Sequence, residues 1–189
     1  MKTKGKLIVI SGPSGVGKGT ICEILLRQCP DLTLSVSATT RKPRTVDQEG
    51  ITYYFKTTQE FQAMINNHQF LEWAVYNGNY YGTPLQPVQE KLNDGKNVLL
   101  EIDVQGALHV KENFPEGIYI FIAPPDKETL HARLTGRGTE SPEEIDRRVA
   151  AADQELAQQN KYDFVVINDE LETAVQTIKD IIETRSVAV

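Results

Sequence analysis

Four short apolar runs recur along the chain, each bounded by polar or turn-forming residues. They cover residues 6–11, 97–102, 118–122 and 164–167. Continuous apolar runs of this length predict strands buried on both faces. Because segments with helical spacing separate these runs, the alternation predicts parallel βαβ units. The expected fold is α/β, with a parallel core sheet that carries helices on both faces.

Between residues 34 and 83 the pattern changes to short stretches in which polar and apolar residues alternate. Residues 51–55 and 70–76 show this alternation, and Asn77-Gly78 is a tight-turn signal before the next apolar stretch. Alternation is typical of strands with one face in water. This segment is therefore predicted to be a small, mostly antiparallel insert that faces the core.

A third kind of segment covers residues 137–160. Ser141-Pro142-Glu143-Glu144 is a helix-start signal, with an N-cap serine, a proline at the first helical position and a glutamate at the third. The helix that follows is polar on most faces, so it is interpreted as a mobile lid and not as a core element. A last helix, from about 171 to 184, should pack on the sheet. The prediction is one domain with its core in 1–33, 84–136 and 161–189.

Composition excludes several classes of protein. The chain has 189 residues, 40% of them hydrophobic and 24% charged, which favours a folded globular domain. The net charge of -6 argues against broad binding to nucleic acid or to an anionic membrane. The two cysteines have no zinc or redox spacing, and we expect free thiols. No signal peptide or membrane-spanning run is present in the sequence, so a cytoplasmic protein is expected.

One motif points directly to phosphate chemistry. The segment Gly12-Pro13-Ser14-Gly15-Val16-Gly17-Lys18-Gly19-Thr20 fits the pattern G-x-x-x-x-G-K, with a strand before it and a helix after it. Such a loop turns backbone N–H groups toward a polyphosphate, and the lysine reaches the β- and γ-phosphates. The residue after the lysine is usually Ser or Thr, which binds Mg²⁺, but here it is Gly19. Thr20 is therefore the candidate magnesium ligand.

A kinase needs a second anion site, and the segment 37–44 offers one. Arg41 and Arg44 lie three residues apart in a loop stiffened by Pro43. Two guanidinium groups can hold a monophosphate dianion by paired hydrogen bonds. The alternative is a solvated basic loop. No histidine is in a position that suggests a general base, because His68, His109 and His131 all fall in helical patterns and are expected at the surface.

Several segments together resemble the guanylate kinase family. They span nearly the whole chain in order, and several of them are not shared with adenylate or thymidylate kinases. They are residues 12–20, 37–44, Phe70-Leu71-Glu72-Trp73, 78–82, Glu101-Ile102-Asp103-Val104-Gln105-Gly106, 122–125 and 136–140. The resemblance implies a nucleoside-monophosphate kinase that uses ATP with Mg²⁺ and accepts GMP, with dGMP as a further acceptor.

The resemblance also implies roles for individual residues. The GMP phosphate would be held by Arg41, Arg44, Tyr53 and Tyr81, and the guanine would be read by Ser37, Glu72 and Thr83. Glu101 and Asp103 would border the nucleotide and the metal, although the family usually has Asp in place of Glu101. Arg137 and Arg148 would close over the ATP phosphates, with Arg133 assisting, and Asn168 would touch the adenine.

Two other functions remain open from the sequence. Guanylate-kinase-like domains also occur as non-catalytic modules that bind phosphopeptides, but those generally lose the loop lysine and the lid arginines, which are present here as Lys18, Arg137 and Arg148. A kinase of the same fold could act on another small phosphate. Such an enzyme would have no reason for a carboxylate such as Glu72 in the base pocket. The oligomeric state is not indicated by the sequence.

Overall fold

The computed structural model describes residues 4–135 and 142–187, and within these it consists of two sheets surrounded by helices. The strands are β1 (Leu7–Ser11), β2 (Leu32–Leu34), β3 (Ser37–Thr39), β4 (Tyr53–Phe55), β5 (Phe70–Tyr76), β6 (Asn79–Pro84), β7 (Asn97–Glu101), β8 (Ile118–Ala123) and β9 (Phe164–Ile167). The helices are α1 (Lys18–Gln28), α2 (Thr58–Asn66), α3 (Leu85–Asn93), α4 (Val104–Asn113), α5 (Lys127–Thr135), α6 (Pro142–Leu156) and α7 (Leu171–Val187). A short 3₁₀ turn covers Gln159–Lys161.

The core sheet has five parallel strands in the order β2-β7-β1-β8-β9, which confirms the predicted α/β class. Alternate residues of β1 enter two different hydrophobic clusters. Ile8 and Ile10 pack with helices α1, α5 and α7, whereas Leu7 and Val9 pack with α3 and α4. A strand that is buried on both faces has no polar side to display, so it appears in the sequence as a continuous apolar run.

The sequence pattern missed β2, the edge strand of the core sheet. Only three residues, Leu-Thr-Leu, form it, and only Leu32 is buried. Such a segment is too short to show a periodicity, and its pairing with β7 depends on tertiary contacts.

The second sheet has the order β4-β3-β6-β5, with two antiparallel pairs and one parallel pair. As predicted, Asn77 and Gly78 form the turn between β5 and β6, and both have positive φ angles of 47° and 75°. The register between β5 and β6 shifts between Phe70 and Glu72, as at a β-bulge. The domain boundaries themselves stay a prediction.

Helix α6 has a core-facing side that the interpretation of residues 137–160 as a polar lid did not include, and the lid role itself stays a prediction. Ala152 is 1% exposed, and Val149 and Leu156 pack against the hydrophobic core. These three residues have the i, i+3, i+7 spacing of one helix face. The apolar stripe is narrow, because the residues that flank it, such as Ala151 and Gln154, are exposed.

The histidines also differ from the expectation. His68 lies after α2 with a φ of 52°, in a turn and not in a helix. His109 is exposed on α4 as expected, whereas His131 on α5 is half-buried. Within the ranges that the structure describes, no helix has the length and apolar character needed to cross a bilayer.

Candidate active site

The phosphate loop joins β1 to α1 at the carboxyl edge of the core sheet. Two of its glycines have no room for a side chain. A Cβ on Gly12, where φ is 143°, would lie 2.3 Å from the carbonyl oxygen of Ile122, and a Cβ on Gly17, where φ is 94°, would lie 2.6 Å from Nδ2 of Asn168. Val16 is fully buried and anchors the loop to the core. The sequence therefore folds this segment into a tight turn that ends on the N-terminus of α1.

Lys18 is the first residue of α1, and its side chain lies over the loop. Its Nζ donates hydrogen bonds to the carbonyl oxygens of Gly12 at 2.6 Å and Pro13 at 2.9 Å. Burial lowers the pKa of Lys18, and the carboxylates of Glu101 and Glu155 oppose that effect. An ammonium group held in this way is already at the loop where phosphate oxygens would bind.

Asn168 follows β9 and contacts the phosphate loop directly. Its Nδ2 donates a 2.7 Å hydrogen bond to the carbonyl oxygen of Val16, and the side chain is buried. Arg133 donates from both terminal nitrogens to the backbone oxygen of Asn168 at 3.4 Å. Asn168 thus supports the loop backbone, a contact that the sequence did not indicate. The expected adenine contact stays a prediction.

Three of the four residues predicted to hold the GMP phosphate lie together, Tyr53 and Tyr81 on the second sheet and Arg41 in the loop after β3. The Arg41 guanidinium carbon is 5.3 Å from the ring centre of Tyr53, and the rings of Tyr53 and Tyr81 meet edge to face at 6.1 Å. Arg41 also forms a 2.9 Å ion pair with Asp47, and its hydrogen bond holds the pKa of that carboxyl below its usual range. The structure therefore brings a guanidinium group and two phenols to one place.

Arg44 lies in the same loop but outside this cluster. Its backbone N–H donates to Asp47 Oδ2 at 2.7 Å, and its side chain is exposed. Asp47 thus joins the two arginines, through the side chain of Arg41 and the backbone of Arg44. Asp47 was not singled out from the sequence.

The three predicted guanine-reading residues are neighbours in the second sheet. Glu72 on β5 pairs with Thr83 on β6, and the β3 to β6 register brings Ser37 next to Thr83. Thr83 Oγ1 donates a 2.6 Å hydrogen bond to Glu72 Oε1. Glu72 is only 7% exposed, so it is not an ordinary surface residue. Burial raises the pKa of Glu72, the charge of Asp103 adds to the rise, and the Thr83 hydrogen bond opposes it.

Asp103 and Glu101 lie where β7 ends and α4 begins. Asp103 caps α4, and its Oδ1 accepts a 2.7 Å hydrogen bond from the backbone N–H of Gly106. A Cβ on Gly106 would lie 3.3 Å from both Asp103 Oδ1 and Glu72 Oε2, so this glycine leaves the space between two carboxylates open. Burial raises the pKa of Glu101, and the nearby charge of Lys18 opposes the rise.

Helix α6 contacts the phosphate loop at Ser14. Arg148 donates from Nη2 to Ser14 Oγ at 3.0 Å. On the same helix, burial raises the pKa of Glu155, and the nearby charge of Lys18 opposes the rise. Glu155 was missed from the sequence, although the seven-residue spacing from Arg148 places both on one helix face. Arg137, the other predicted lid arginine, lies outside the described residues.

Comparison with known proteins tests the resemblance. The family model described as guanylate kinase matches residues 4–185. The chain belongs to the guanylate kinase family. It is 52% identical over 181 residues to the guanylate kinase of Halalkalibacterium halodurans, a match that covers 96% of this chain and 89% of that protein. The guanylate kinase of Caldanaerobacter subterraneus subsp. tengcongensis is 54% identical over 182 residues, with coverages of 96% and 88%.

Solved structures agree with the family assignment. The crystal structure of guanylate kinase from Anaplasma phagocytophilum superposes with a TM-score of 0.77 at 31% identity, and the match covers 100% of this chain and 90% of that one. A shikimate kinase from Bacteroides thetaiotaomicron, at 15% identity and a TM-score of 0.51, shares the fold alone. The guanylate kinase resemblance read from the sequence is confirmed, and a non-catalytic module is not favoured.

Proposed function

We propose that this guanylate kinase family member transfers the γ-phosphoryl group of ATP to GMP, giving ADP and GDP, through the site described above. The observation that carries the proposal is the position of Glu72. It is a buried carboxylate fixed by Thr83, on the same small sheet as the Arg41 cluster and opposite Asp103 of the core. A buried carboxylate and a basic cluster on one sheet fit a ligand that has hydrogen-bond donors at one end and a phosphate at the other.

Guanine has the donors that such a carboxylate requires. Its N1–H and its 2-amino group are adjacent, and an ionised carboxylate can accept from both. Adenine has a lone pair at N1 and no amino group at C2, so Glu72 would face repulsion in place of a hydrogen bond. Thr83 keeps one carboxylate oxygen in place through its 2.6 Å hydrogen bond. Ser37, next to Thr83 in the register, is proposed to complete the base pocket.

The monophosphate would bind at Arg41, Arg44, Tyr53 and Tyr81. Arg41 is already oriented by its ion pair with Asp47 and by its position over the Tyr53 ring. Arg44 has an exposed side chain that is available to a ligand. One guanidinium group can donate two parallel hydrogen bonds to phosphate oxygens, and phenol hydroxyls can donate further hydrogen bonds.

Phosphoryl transfer requires positioning and charge stabilisation more than a covalent catalyst. The acceptor is a phosphate oxygen, so no strong general base is required. Lys18 lies at the phosphate loop, and Arg148 reaches the same loop from α6. We assign both to the stabilisation of charge on the transferring group, together with Arg137. The packing of α6 on the core places Arg148 at the loop before nucleotide binds, and its contact with Ser14 would be exchanged for phosphate oxygens.

Magnesium would enter with ATP. Mg²⁺ keeps several waters and binds protein through one or two oxygen ligands when phosphates supply the others. The Thr20 hydroxyl, exposed in the first turn of α1, and the carboxylate of Glu101 beside Lys18 are suitable oxygen donors. When bound, the metal neutralises charge on the β- and γ-phosphates.

Two further expectations belong to this proposal. We expect dGMP to be accepted as well as GMP, because the base and phosphate contacts proposed here do not involve the ribose. We also expect a cytoplasmic enzyme, in keeping with its free thiols Cys22 and Cys29.

ADP formation from ATP and Mg²⁺ in the presence of GMP, dGMP, AMP and UMP tests the function. GMP and dGMP should support turnover, and AMP and UMP should give rates near that without acceptor. Turnover with a sugar phosphate and not with GMP would identify a kinase with another substrate. Binding of a phosphopeptide without any ADP formation would identify a non-catalytic module.

A further inference from the structure

Two strand ends of the core sheet lie directly against the phosphate loop. Gly12 is packed on the backbone of Ile122 in β8, and Gly17 is packed on the side chain of Asn168, the residue after β9. The backbone N–H of Asn168 donates a 2.8 Å hydrogen bond to the carbonyl oxygen of Ala123, where β8 ends. The carboxyl ends of the neighbouring strands β8 and β9 therefore bound one side of the loop.

The side chain of Asn168 is fixed in one orientation at this boundary. It is 6% exposed, and its Nδ2 donates the 2.7 Å hydrogen bond to the carbonyl oxygen of Val16. A carbonyl oxygen can only accept, so the amide must present its NH₂ group there. Rotation of the amide would leave two buried polar groups unpaired, which is unfavourable. The backbone oxygen of Asn168 faces the guanidinium group of Arg133, so the residue is held from a second direction.

The hydrogen bond to Val16 also sets the direction of the next backbone N–H. In a trans peptide unit the C=O and N–H bonds point in opposite directions. Because Asn168 holds the oxygen of the peptide between Val16 and Gly17, the N–H of Gly17 points away from Asn168. Among the described residues, no group accepts a hydrogen bond from this N–H. It is next to Lys18, at the position where phosphate-binding loops present backbone donors to an anion.

We propose that Asn168 is a positioning residue for the phosphate site. By holding the Val16 carbonyl, its amide keeps the Gly17 N–H turned toward the polyphosphate, so the loop has its binding conformation before ATP arrives. This role concerns the triphosphate and not the base. It rests on the proposed function in one respect, that the loop binds the phosphates of ATP. The competing interpretation is that the bond only satisfies two buried polar groups, and that Asn168 affects nucleotide binding through the adenine alone.

A ligand without a base separates these interpretations. Inorganic tripolyphosphate has the phosphates of ATP but no adenine, and titration calorimetry gives its dissociation constant beside that of a non-hydrolysable ATP analogue. A positioning role predicts that Asn168→Ala weakens both ligands by the same factor, about three- to tenfold, because the released loop must be ordered on binding. A role through adenine predicts a loss for the ATP analogue alone. Lys18→Ala should abolish tripolyphosphate binding, which shows that this ligand binds at the loop.

A second variant separates the hydrogen bond from the packing. Asn168→Leu keeps the volume of the side chain and removes the donor, so it should weaken both ligands as much as Asn168→Ala does. If the side chain only filled space, the leucine variant would bind both ligands like the wild type. Asn93→Ala removes an exposed amide at the end of α3 and is the matched control, with no change expected. Melting curves confirm that each variant is folded at the temperature of the titration.

Steady-state kinetics provide a readout that a purely structural role would not change. Both Asn168 variants should raise the KM for ATP by a factor similar to their loss of tripolyphosphate affinity, and should leave the KM for GMP unchanged. The factor should be the same when another nucleoside triphosphate replaces ATP as the donor, since the lost contact does not involve the base. A variant that is merely less stable would contain less active enzyme, which lowers the apparent kcat and leaves the KM for ATP unchanged.

Two results would overturn the proposal. One is an unchanged affinity for tripolyphosphate in the Asn168 variants, and the other is a wild type that does not bind tripolyphosphate, because the loop would then not be a preformed phosphate site. Failure of the proposed function would look different, since the wild type would then not phosphorylate GMP. The tripolyphosphate titration, which needs no acceptor, would still decide the role of Asn168.

Discussion

Thr83 Oγ1 donates a 2.6 Å hydrogen bond to Glu72 Oε1, and both side chains are buried. The two residues face each other across the antiparallel pair of β5 and β6, next to the bulge that follows Phe70. Burial of the carboxylate raises the pKa of Glu72 and the charge of Asp103 adds to the rise, whereas the interactions with Thr83 oppose it only in part. The pair therefore holds the carboxylate that is proposed to bind guanine in a buried position, and this position lowers the free energy of unfolding of the protein.

That arrangement predicts a gain in stability when the charge is removed. Burial raises the pKa of Glu72 above its value in the unfolded chain. The resulting destabilisation is absent below the unfolded pKa and is complete once the pH exceeds the folded pKa. Glu72→Gln keeps an acceptor for Thr83, so we expect it to melt a few degrees higher than the wild type at about pH 8 and no higher below about pH 4.

Calorimetric melting curves at both pH values check this prediction. Glu90→Gln, on the exposed surface of α3, is the control and should show no comparable pH dependence. The same melting difference at both pH values would show that the ionisation of Glu72 does not destabilise the fold.

Lys18→Ala should abolish most of the phosphoryl transfer and leave GMP binding intact. The ammonium group lies at the ATP phosphate loop, whereas the proposed GMP site is on the second sheet. Loss of one well-placed donor to transition-state charge lowers kcat by about 30- to 1,000-fold. Steady-state kinetics and GMP titration calorimetry measure the two effects, with Lys96→Ala as an exposed control. More than about a tenth of the wild-type turnover would show that the loop has been assigned wrongly.

Arg148→Ala should lower kcat far more than it raises the KM for either substrate. Arg148 donates a hydrogen bond to Ser14 of the loop. Because bonds to phosphate oxygens would replace this one, the net gain should be largest in the transition state, when charge develops on the transferring group. The exposed neighbour Arg147 provides the matched alanine control. An unchanged kcat with a raised KM for ATP would place Arg148 in ground-state binding instead.

Arg44→Ala should raise the KM for GMP by about tenfold or more and leave ATP affinity unchanged. The side chain of Arg44 is exposed in the loop next to the Arg41 cluster, and its backbone N–H donates to Asp47. The loss of a pair of charge-assisted hydrogen bonds from the guanidinium group to the phosphate accounts for the size of the effect. Titrations with each nucleotide separately, with Arg27→Ala as a remote control, measure it. Equal losses for both nucleotides would show that the loop has a structural role or contacts both sites.

The sequence predicted the buried strands and the β-hairpin because their signals are local. A strand such as β8, in which all six residues are buried, is apolar throughout, and the turn at Asn77-Gly78 requires positive φ angles that few residues adopt. It did not predict β2 or the core face of α6. A three-residue edge strand and a narrow stripe of three apolar residues are defined by what packs against them, and no local pattern shows that.

The candidate site was predicted through motifs, and the contacts that support those motifs were not. The hydrogen bond from Asn168 to Val16 and that from Arg148 to Ser14 each join parts of the chain that are far apart in sequence. A single sequence contains no signal for such pairs, since neither partner is unusual for its own element. These residues meet because the fold brings the carboxyl ends of the parallel strands together along one edge of the core sheet.

The ratio of kcat/KM for GMP to that for AMP, in the wild type and in Glu72→Gln, tests the central claim most directly. A buried carboxylate that pairs with guanine should give the wild type a preference of roughly 10⁴-fold, since adenine leaves that carboxylate unsatisfied. The glutamine variant exchanges one acceptor for a donor, so GMP turnover should fall sharply and the preference should shrink. An unchanged ratio in the variant, or a wild type that does not distinguish the two nucleotides, would contradict the assignment of Glu72 as the guanine-reading residue.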